Sequence, residues 1–480
     1  MILSCCIARY SIVRQTLLLF LCIAVSTGCD NGTVKKQTAA ERTWQPAQLI
    51  AANVMKPFLG RERYSPLIET ASIAAVNGVG DAFVIWNRFD GSRMNLWAKH
   101  YVPGSSWQNA QPVAIATDDE RSFPQLALDK AGNVMAVWRQ NKKDIRGNHV
   151  SIYANRYVAG SGWQTAQPIA TDNNPSGGIL LPRLAVDAAG NALVIWSQKV
   201  MHSHDMDLWA NRYVPGRGWE GAQRIESNAG ELLQLAGNAA GNAVVVWERR
   251  DAGNSHAIIC AKRYMPNSGW QATQSFEINA NVRSSSLFPQ AAVDGAGNAL
   301  VVWSQPDGHH GNIWSNRYVS GRGWQTAQPI GGNDAGSTLA PQVAVNAAGN
   351  AVAIWAREGS SRYNIWTSRY DIPTSTWSAP QILGESIDIF GGEPQVAVDA
   401  AGNAVAVWAQ KDASSYSIWT NHYVADSGWQ TAQLIEKNAI FPPRVAADAS
   451  GNAVAVWYQY NDKHRLNIWA SWYKERESNN

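Results

Sequence analysis

A nine-residue phrase, Val-Ala-Val-Asp-Ala-Ala-Gly-Asn-Ala in its fullest form, recurs along this 480-residue chain and constrains its fold more than any other feature. Each copy leads into an apolar segment that closes on Trp, and successive copies are 49 to 58 residues apart. Repeats of this length are supersecondary units that bury their apolar faces only by stacking on their neighbours. The closing residues, which define repeats 1 to 8, are Trp86, Trp138, Trp196, Trp247, Trp303, Trp355, Trp408 and Trp457.

Each copy contains four short segments separated by turn signals. In repeat 7 they are residues 394–399, 403–410, 417–424 and 428–435. The body shows no helical periodicity, so these segments are predicted strands. Four antiparallel strands in about 50 residues is the size of a propeller blade. The sequence therefore predicts an all-β, eight-bladed β-propeller with four-stranded antiparallel blades.

The two ends of the chain predict how the ring closes. Residues 44–50 are a lone copy of the fourth strand, whereas repeat 8 stops after its third strand at residues 467–473. An N-terminal strand that completes the last blade leaves no unpaired sheet edge at the seam. An open β-solenoid is the alternative, but solenoids need capping repeats and have no need of a divided blade.

The N-terminus predicts export and membrane attachment. Arg9 and Arg14 precede an apolar run at residues 17–25, which is too short to span a bilayer and is typical of a secretory signal. The following Ser-Thr-Gly-Cys resembles the bacterial lipobox, which implies that Cys29 is lipidated and anchors the protein stably. A signal peptide that is cleaved without lipidation is the alternative.

These features divide the chain into four parts. They are a signal peptide at residues 1–28, the lipidated Cys29 with a polar tether at 29–42, the propeller at 43–473 and a polar tail at 474–480. The expected location is the bacterial cell envelope, facing the periplasm, and Asp30 resembles an inner-membrane retention signal. Without the lipid, the protein would be periplasmic or extracellular. We expect a monomer.

Composition and motifs exclude several classes of function. The net charge of +3 is too small to hold a polyanion, so no nucleic acid partner is predicted. Four of the five Cys lie in the first 29 residues, which leaves the body without a disulfide framework. No nucleophile elbow, phosphate-binding glycine loop or zinc-protease motif is present, and no cofactor is predicted.

The repeated Asp and Gly residues have a structural interpretation. Asp187 to Gly190 fits a type I turn in which Asp caps backbone amides and Gly adopts a positive φ. A calcium site is the alternative, although the local turn already satisfies the carboxylate. The same interpretation applies to Asp129 with Gly132, Asp294 with Gly297, Asp399 with Gly402, and Asp448 with Gly451.

The repeated aromatic and Arg residues also recur too often for a catalytic role. We expect the Trp residues to pack blade on blade, because each removes a large apolar surface from water. In third-strand triplets such as Asn155-Arg156-Tyr157 and Asn316-Arg317-Tyr318, we expect Arg to stack on neighbouring aromatic faces.

Binding is predicted on the side of the disc where the repeat symmetry breaks. Loops from strand two to three, and from strand four to the next strand one, vary in length and emerge together. Their His residues have metal-ligand chemistry but lie on different blades, and zinc needs three or four converging donors, so no metal is predicted. This candidate binding face comprises His149, His202, His204, Asp205, His256, His309, His310, His464, Asp118, Asp119, Arg249 and Arg250.

Asp399, Gly402 and Trp408 surround a hairpin in a way that resembles bacterial β-propeller repeat lipoproteins. The overall plan of residues 43–473 resembles the eight-bladed propeller lipoprotein of the outer-membrane barrel assembly machinery, which implies a non-enzymatic scaffold. None of that family's partner-binding residues can be placed on this chain. The Asp, Gly and Trp spacing differs from the Asp box of sialidase-like propellers, so sialidase activity is not predicted.

Two functions are consistent with these features. The first is a membrane-anchored, non-enzymatic scaffold of the cell envelope that binds a protein or peptidoglycan-associated partner through the candidate binding face. The alternative is a glycan-binding lectin or glycan-active hydrolase that uses the same face. Fold alone does not separate them. Two carboxylates about 5 Å or about 6.5 to 9.5 Å apart in an axial cleft would favour the hydrolase.

Overall fold

The structure is a computed structural model, and all regular elements in the part that it describes are β-strands. None of the described residues belongs to a helix with the length and apolarity that a membrane crossing requires. Cys29 and the predicted signal lie outside this part. The described residues are 42–55, 73–90, 93–115, 120–144, 147–172, 178–179, 181–200, 203, 205–230, 233–250, 257–276, 287–306, 311–332, 336–359, 362–387, 393–411, 415–425, 427–440 and 442–475.

The strands follow the eight repeats along the chain. Before the repeats come β1 (Arg42–Trp44) and β2 (Gln48–Met55). Repeats 1 to 4 contain β3 (Ile73–Val76), β4 (Ala82–Phe89), β5 (Met94–Tyr101), β6 (Gln111–Ala114), β7 (Glu120–Leu128), β8 (Val134–Asp144), β9 (Gly147–Val158), β10 (Gly162–Trp163), β11 (Gln167–Asp172), β12 (Arg183–Val186), β13 (Ala192–Lys199), β14 (Met206–Val214), β15 (Gly218–Trp219), β16 (Gln223–Glu226), β17 (Leu233–Gly237), β18 (Ala243–Arg250), β19 (Ala257–Met265), β20 (Gly269–Trp270) and β21 (Gln274–Phe276).

Repeats 5 to 8 contain the remaining strands in the same order. These are β22 (Gln290–Val293), β23 (Ala299–Pro306), β24 (Gly311–Val319), β25 (Gly323–Trp324), β26 (Gln328–Pro329), β27 (Thr338–Val345), β28 (Ala351–Glu358), β29 (Tyr363–Asp371), β30 (Thr376–Trp377), β31 (Gln381–Ile387), β32 (Gln395–Val398), β33 (Ala404–Lys411), β34 (Tyr416–Val424), β35 (Gly428–Trp429), β36 (Gln433–Ala439), β37 (Arg444–Ala447), β38 (Ala453–Tyr460) and β39 (Leu466–Glu475).

Each repeat forms an antiparallel sheet whose strands pair in chain order. In repeat 3, β12 pairs with β13 and β13 with β14, and both β15 and β16 pair with β14. The fourth strand is therefore one outer strand in two pieces, interrupted between Trp219 and Gln223. The predicted all-β propeller with four-stranded antiparallel blades is confirmed.

The first strands of the repeats form a ring at the centre. From β3 through β7, β12, β17, β22, β27 and β32 to β37, each contacts the next, and β37 contacts β3. Hydrogen bonding divides the described strands into seven sheets, because Ala439 of β36 pairs with Gln459 of β38 and joins repeats 7 and 8. The separate sheets alone therefore do not confirm the predicted number of eight blades.

The N-terminal strands complete the last blade, as the sequence predicts. Trp44 of β1 pairs with Tyr473 of β39, and Leu49 of β2 pairs with Trp469 of the same strand. The Ser471 hydroxyl also donates to the Gln45 carbonyl at 2.5 Å. The outer edge of β39 is thus covered by main-chain hydrogen bonds, which removes the exposed edge that an open end would leave.

The apolar core lies between neighbouring sheets. At the junction of repeats 5 and 6, Trp355 packs with Val302, Ile313 and Ile330 of the preceding sheet. All eight closing Trp residues are at most 1% exposed, and each belongs to such a cluster. The predicted packing of these Trp residues between blades is confirmed.

In the turn between strands one and two, the Asp carboxylate accepts hydrogen bonds from residues of the same turn. Asp187 Oδ1 accepts hydrogen bonds from the Ala189 and Asn191 amides at 3.0 and 2.9 Å, and Oδ2 accepts one from Asn191 Nδ2 at 2.7 Å. Gly190 has a φ of 83° and lies so close to the preceding turn that a Cβ would be 2.8 Å from Asp129 Oδ2. The turns of Asp129, Asp294, Asp399 and Asp448 share the two-oxygen bonding pattern, with Gly132, Gly297, Gly402 and Gly451 at positive φ.

The third-strand Arg residues stack across the blade junctions. Arg156 lies over the ring of Tyr213 in the next repeat at 5.7 Å, and Arg317 lies over Tyr370 at 4.9 Å. Arg317 Nη2 is also 3.4 Å from Asp294 Oδ2, which connects the turn to the stack. The predicted stacking role of these Arg residues is confirmed.

Candidate functional site

A band of polar side chains surrounds the propeller axis where the first strands begin. In all eight repeats one first-strand residue pairs with the residue that precedes the closing Trp; it is polar in seven repeats and is Ile73 in repeat 1. The band therefore contains five carboxamides and two guanidinium groups at one end of the inner ring. We call it the axial rim, and its members are Gln125, Arg183, Gln234, Gln290, Gln342, Gln395 and Arg444.

Local sequence explains the position of these residues on the strand. Pro precedes the rim residue in six repeats; in four of them Pro directly precedes the first strand, and in β7 and β27 it lies at an irregularity in the pairing with the second strand. Pro is tolerated at such positions, because no ladder hydrogen bond has to be donated there. In three of these repeats the residue before Pro has a left-handed backbone, with φ of 55° at Phe123, 45° at Phe288 and 48° at Ala340. Such values are rare for residues other than Gly and concentrate at functional sites.

A small cavity opens in the axial rim where repeats 3, 4 and 5 meet. It has a volume of about 70 Å³ and is lined by Arg183, Gln234, Gln290 and Phe288, together with Leu181, Leu233 and Pro289. Arg183 Nε donates to the Leu233 carbonyl at 3.2 Å, so the guanidinium is held across the junction of two inner strands. The cavity accommodates one small polar group of a ligand, beside an aromatic ring that is 41% exposed.

The chemistry of this cavity suits an oxyanion attached to a larger polar molecule. A guanidinium presents donors in a fixed fork that matches carboxylate or sulfate, and such charge-assisted bonds are stronger than neutral ones. Carboxamides both donate to and accept from hydroxyl groups. An exposed Phe provides an apolar face for stacking. A site with a few convergent polar groups and an aromatic wall is a typical ligand site.

The predicted candidate binding face is described only in part. His202, His204, His256, His309, His310, Asp118 and Asp119 lie outside the described residues. On β18, Arg250 forms an ion pair with the buried Glu248 at 2.5 Å, and Glu248 Oε2 also accepts a hydrogen bond from the Leu287 amide at 2.8 Å. Arg250 therefore helps to hold the junction of repeats 4 and 5, and Arg249 precedes it as a half-buried side chain.

The other described members of that face lie on separate repeats. His149 is half-buried on β9, and Asp205 is exposed and accepts a hydrogen bond from the Ser203 hydroxyl at 2.7 Å. His464 occupies the turn closed by Asn461 and Arg465 and stands edge-on to Tyr460. Within the described ranges, no three His, Cys, Asp or Glu side chains converge in a way that would hold a metal ion.

Sequence reasoning missed the axial rim, although the chain carries a signal for it. The dipeptide Pro-Gln or Pro-Arg recurs just before the repeated nine-residue phrase, as in Pro182-Arg183 and Pro289-Gln290. Arg183 and Arg444 replace Gln in this position and Ile73 does so in repeat 1, so the break in symmetry is visible in the sequence. That these residues surround the axis follows from the ring of first strands.

Comparisons with known proteins give similarity in structure alone. No protein-family model matches the chain, and no curated protein matches it. Similar solved structures include an α-L-arabinofuranosidase from Fusarium graminearum with an iminosugar inhibitor, at 11% identity and TM-score 0.39, covering 63% of this chain and 94% of that one. The NanB sialidase from Streptococcus pneumoniae has 7% identity and TM-score 0.37, covering 84% and 85%. An ulvan lyase has 10% identity and TM-score 0.46, covering 80% and 94%.

These comparisons contradict two predictions. A non-enzymatic scaffold and a protein without enzymatic activity were expected, whereas the three similar structures named above are a glycoside hydrolase, a sialidase and a polysaccharide lyase. The scaffold prediction was wrong because it rested on the absence of linear catalytic motifs, and glycan-active sites assemble from distant loops without such motifs. At these identities the likeness transfers no active-site residue.

Proposed function

We propose that the protein is glycan-active and that its glycan contacts the axial rim. The observation that carries this proposal is the cavity that Arg183 shares with the carboxamides of Gln234 and Gln290, beside the exposed ring of Phe288. Sugar hydroxyls pair with carboxamides, and the apolar face of a sugar ring packs against an aromatic side chain. The described strands β6, β13 and β23 end on the side where the first strands begin, and we propose that the segments with Asp118, Asp119, His202 and His309, which follow these strands in sequence, extend this contact surface.

Arg183 further favours a glycan that bears an acidic group. A cavity of about 70 Å³ is too small for a sugar ring and suits the carboxylate or sulfate of a ring bound outside it. Separate tests with a polyuronate and with a sulfated glycan distinguish a carboxylate ligand from a sulfate ligand. A neutral glycan is the control without an acidic group.

Replacement of Arg183 by Gln is expected to weaken binding of the acidic glycan by about tenfold to a hundredfold, because one charge-assisted interaction is worth about 1.5 to 3 kcal/mol. Gln is the residue at this level in five other repeats, so the variant retains the fold. The measurement is calorimetric titration with oligosaccharides of polygalacturonate, a sulfated galactan and a neutral β-glucan. Release of reducing ends and of unsaturated products from the same polymers measures turnover.

Arg444→Gln is the matched control, because it removes the other guanidinium of the rim from outside this cavity. We expect a smaller loss of affinity than for Arg183→Gln. The proposal fails if none of the three polymers binds or is cleaved, or if Arg183→Gln binds the acidic polymer as tightly as the unchanged protein.

We also propose that the protein is anchored in the cell envelope through a lipid on Cys29 and faces the periplasm. The support is the lipobox-like Ser-Thr-Gly-Cys that directly follows the apolar run. Cys29→Ser is expected to move the protein from the membrane fraction to the soluble fraction, since stable anchoring requires the acyl chains. Cys22→Ser is the control, and it should stay with the membranes. Equal fractionation of Cys29→Ser and the unchanged protein would overturn the proposal.

A further inference from the structure

The column of Arg residues on the third strands is interrupted in three adjacent positions of the ring. Arg156, Arg212, Arg263, Arg317 and Arg369 occupy it in repeats 2 to 6. His100 replaces Arg in repeat 1, His422 in repeat 7 and Trp472 in repeat 8. The interruption therefore spans the seam where the chain closes on itself.

The two His residues have different surroundings. His422 is 6% exposed, stacks on Tyr473 at 4.1 Å between ring centroids, and lies 6.2 Å from Trp44. Its burial lowers the pKa of the imidazole to about 4. His422 is thus part of the packed seam. His100 instead stands beside an open pocket at the junction of repeats 1 and 2.

The pocket at this junction has a volume of about 260 Å³, just below the range of about 300 to 1,000 Å³ that is usual for small-ligand sites. His100 Nε2 is 3.5 Å from Asp81 Oδ1, so the pocket extends towards the turn between strands one and two. The pocket is lined by the second, third and fourth strands of repeat 1 and by Tyr157, whereas the axial rim lies on the first strands. The two sites are therefore separate. We call the pocket beside His100 the junction pocket.

Comparison with the other junctions explains why the pocket is open. In four of the five repeats that carry Arg at this position, the guanidinium lies over the Tyr ring of the next repeat, at 3.4 Å for Arg263 over Tyr318 and at 4.9 Å for Arg317 over Tyr370. In repeat 1 the shorter imidazole of His100 stacks on Phe83 and stands edge-on to Tyr157, with 5.7 Å between the His100 and Tyr157 ring centroids. The space beside Tyr157 that a guanidinium covers in those repeats is therefore open.

The lining of the junction pocket combines aromatic faces with amides. His100 stacks on Phe83 at 4.1 Å between ring centroids, and Tyr157 of repeat 2 stands edge-on to both rings. Gln108 and Gln111 are exposed at the mouth, as is Asn109. Burial lowers the pKa of the His100 imidazole, and the Asp81 carboxylate opposes this effect.

We propose that the junction pocket is a second ligand site that binds one neutral sugar residue. The carboxamides of Asn109 and Gln111 donate to and accept from sugar hydroxyls. Gln108 Nε2 donates to Ser105 Oγ at 3.2 Å and to the Ser106 carbonyl at 3.3 Å, so Gln108 accepts from the sugar through Oε1. The aromatic rings pack against the C–H face of the sugar.

Among the described residues that line the pocket there is no Asp, Glu, Lys or Arg, which disfavours acidic sugars. The proposal does not depend on the axial rim, because the cavity of the rim lies on the first strands of repeats 3 to 5, whereas the junction pocket lies on the outer strands of repeat 1 and against Tyr157 of repeat 2.

Saturation-transfer difference NMR with glucose, galactose, mannose, xylose and N-acetylglucosamine tests the junction pocket in the full chain. We expect a signal from at least one sugar, and loss of that signal in His100→Arg, which restores the residue of the five other repeats. A gain or no change in melting temperature is expected for this variant, because the guanidinium can stack on Tyr157 as Arg156 stacks on Tyr213.

A second variant, Gln108→Ala with Gln111→Ala, alters exposed residues only and is expected to raise the Kd of the same sugar by about tenfold or more. Gln223→Ala, at the position of repeat 3 that corresponds to Gln111, should leave the Kd unchanged. Arg183→Gln should also leave it unchanged, which separates this site from the axial rim. No signal from any of the five sugars, or equal signals from His100→Arg and the unchanged protein, would overturn the inference.

Discussion

A chain that begins at residue 56 is expected to lose about 5 kcal/mol or more of unfolding free energy relative to a chain that begins at residue 42. Removing β1 and β2 takes Ile50 and Val54, which are 4% and 1% exposed, out of the core between the last sheet and repeat 1. Each buried side chain of this kind contributes about 1.5 to 3 kcal/mol. Trp44 is also lost from its contact with the core between repeats 7 and 8.

The same deletion exposes the outer edge of β39, which pairs with both N-terminal strands. Unpaired strand edges promote association between chains, so aggregation should accompany the loss of stability. Urea unfolding and light scattering measure the two effects. A peptide of residues 42–55, added to the shortened chain, should restore part of the stability. Equal unfolding midpoints for the two chains would contradict closure of the ring by the N-terminal strands.

Trp355→Ala is expected to destabilise the protein by about 3 to 5 kcal/mol, the usual cost of deleting a fully buried large aromatic side chain. Trp355 is 0% exposed and packs against Val302, Ile313 and Ile330 of the neighbouring sheet. Truncation to Ala leaves a cavity that both sheets border. Thermal and urea unfolding measure the loss, and a shift of the melting temperature below one or two degrees would contradict this burial.

Trp303→Phe and Trp355→Phe, at the same position of two repeats, separate the contribution of packing to stability from that of the indole hydrogen bond. Trp303 Nε1 donates to Gln305 Oε1 at 2.9 Å, whereas Trp355 is followed two residues later by Arg357, which has no acceptor. Trp303→Phe leaves the buried Gln305 without this donor, so we expect it to cost about 1 to 2 kcal/mol more than Trp355→Phe. Equal costs would show that the indole hydrogen bond contributes little.

The sequence by itself predicted the strands, the turns and the way in which the ring closes. The hydrogen bonds of Asp187 reach at most four residues along the chain, and Gly190 is needed for its own positive φ. The order of residue types along the chain is therefore sufficient to predict the turn. The burial of the closing Trp residues is predicted by the sequence as well, because an apolar segment that recurs in every repeat must be covered by the neighbouring repeats. The surplus strand around Trp44 matched the missing strand of repeat 8.

Only the tertiary structure brought together the two candidate sites. The cavity beside Arg183 depends on Gln234 and Gln290, which belong to different repeats and meet because the first strands form a ring. The junction pocket is the space beside His100 that the imidazole leaves open. No sequence pattern predicts such a space. Local hydrogen bonds are encoded by neighbouring residues, whereas convergence of side chains and the space between them are set by how separate sheets pack.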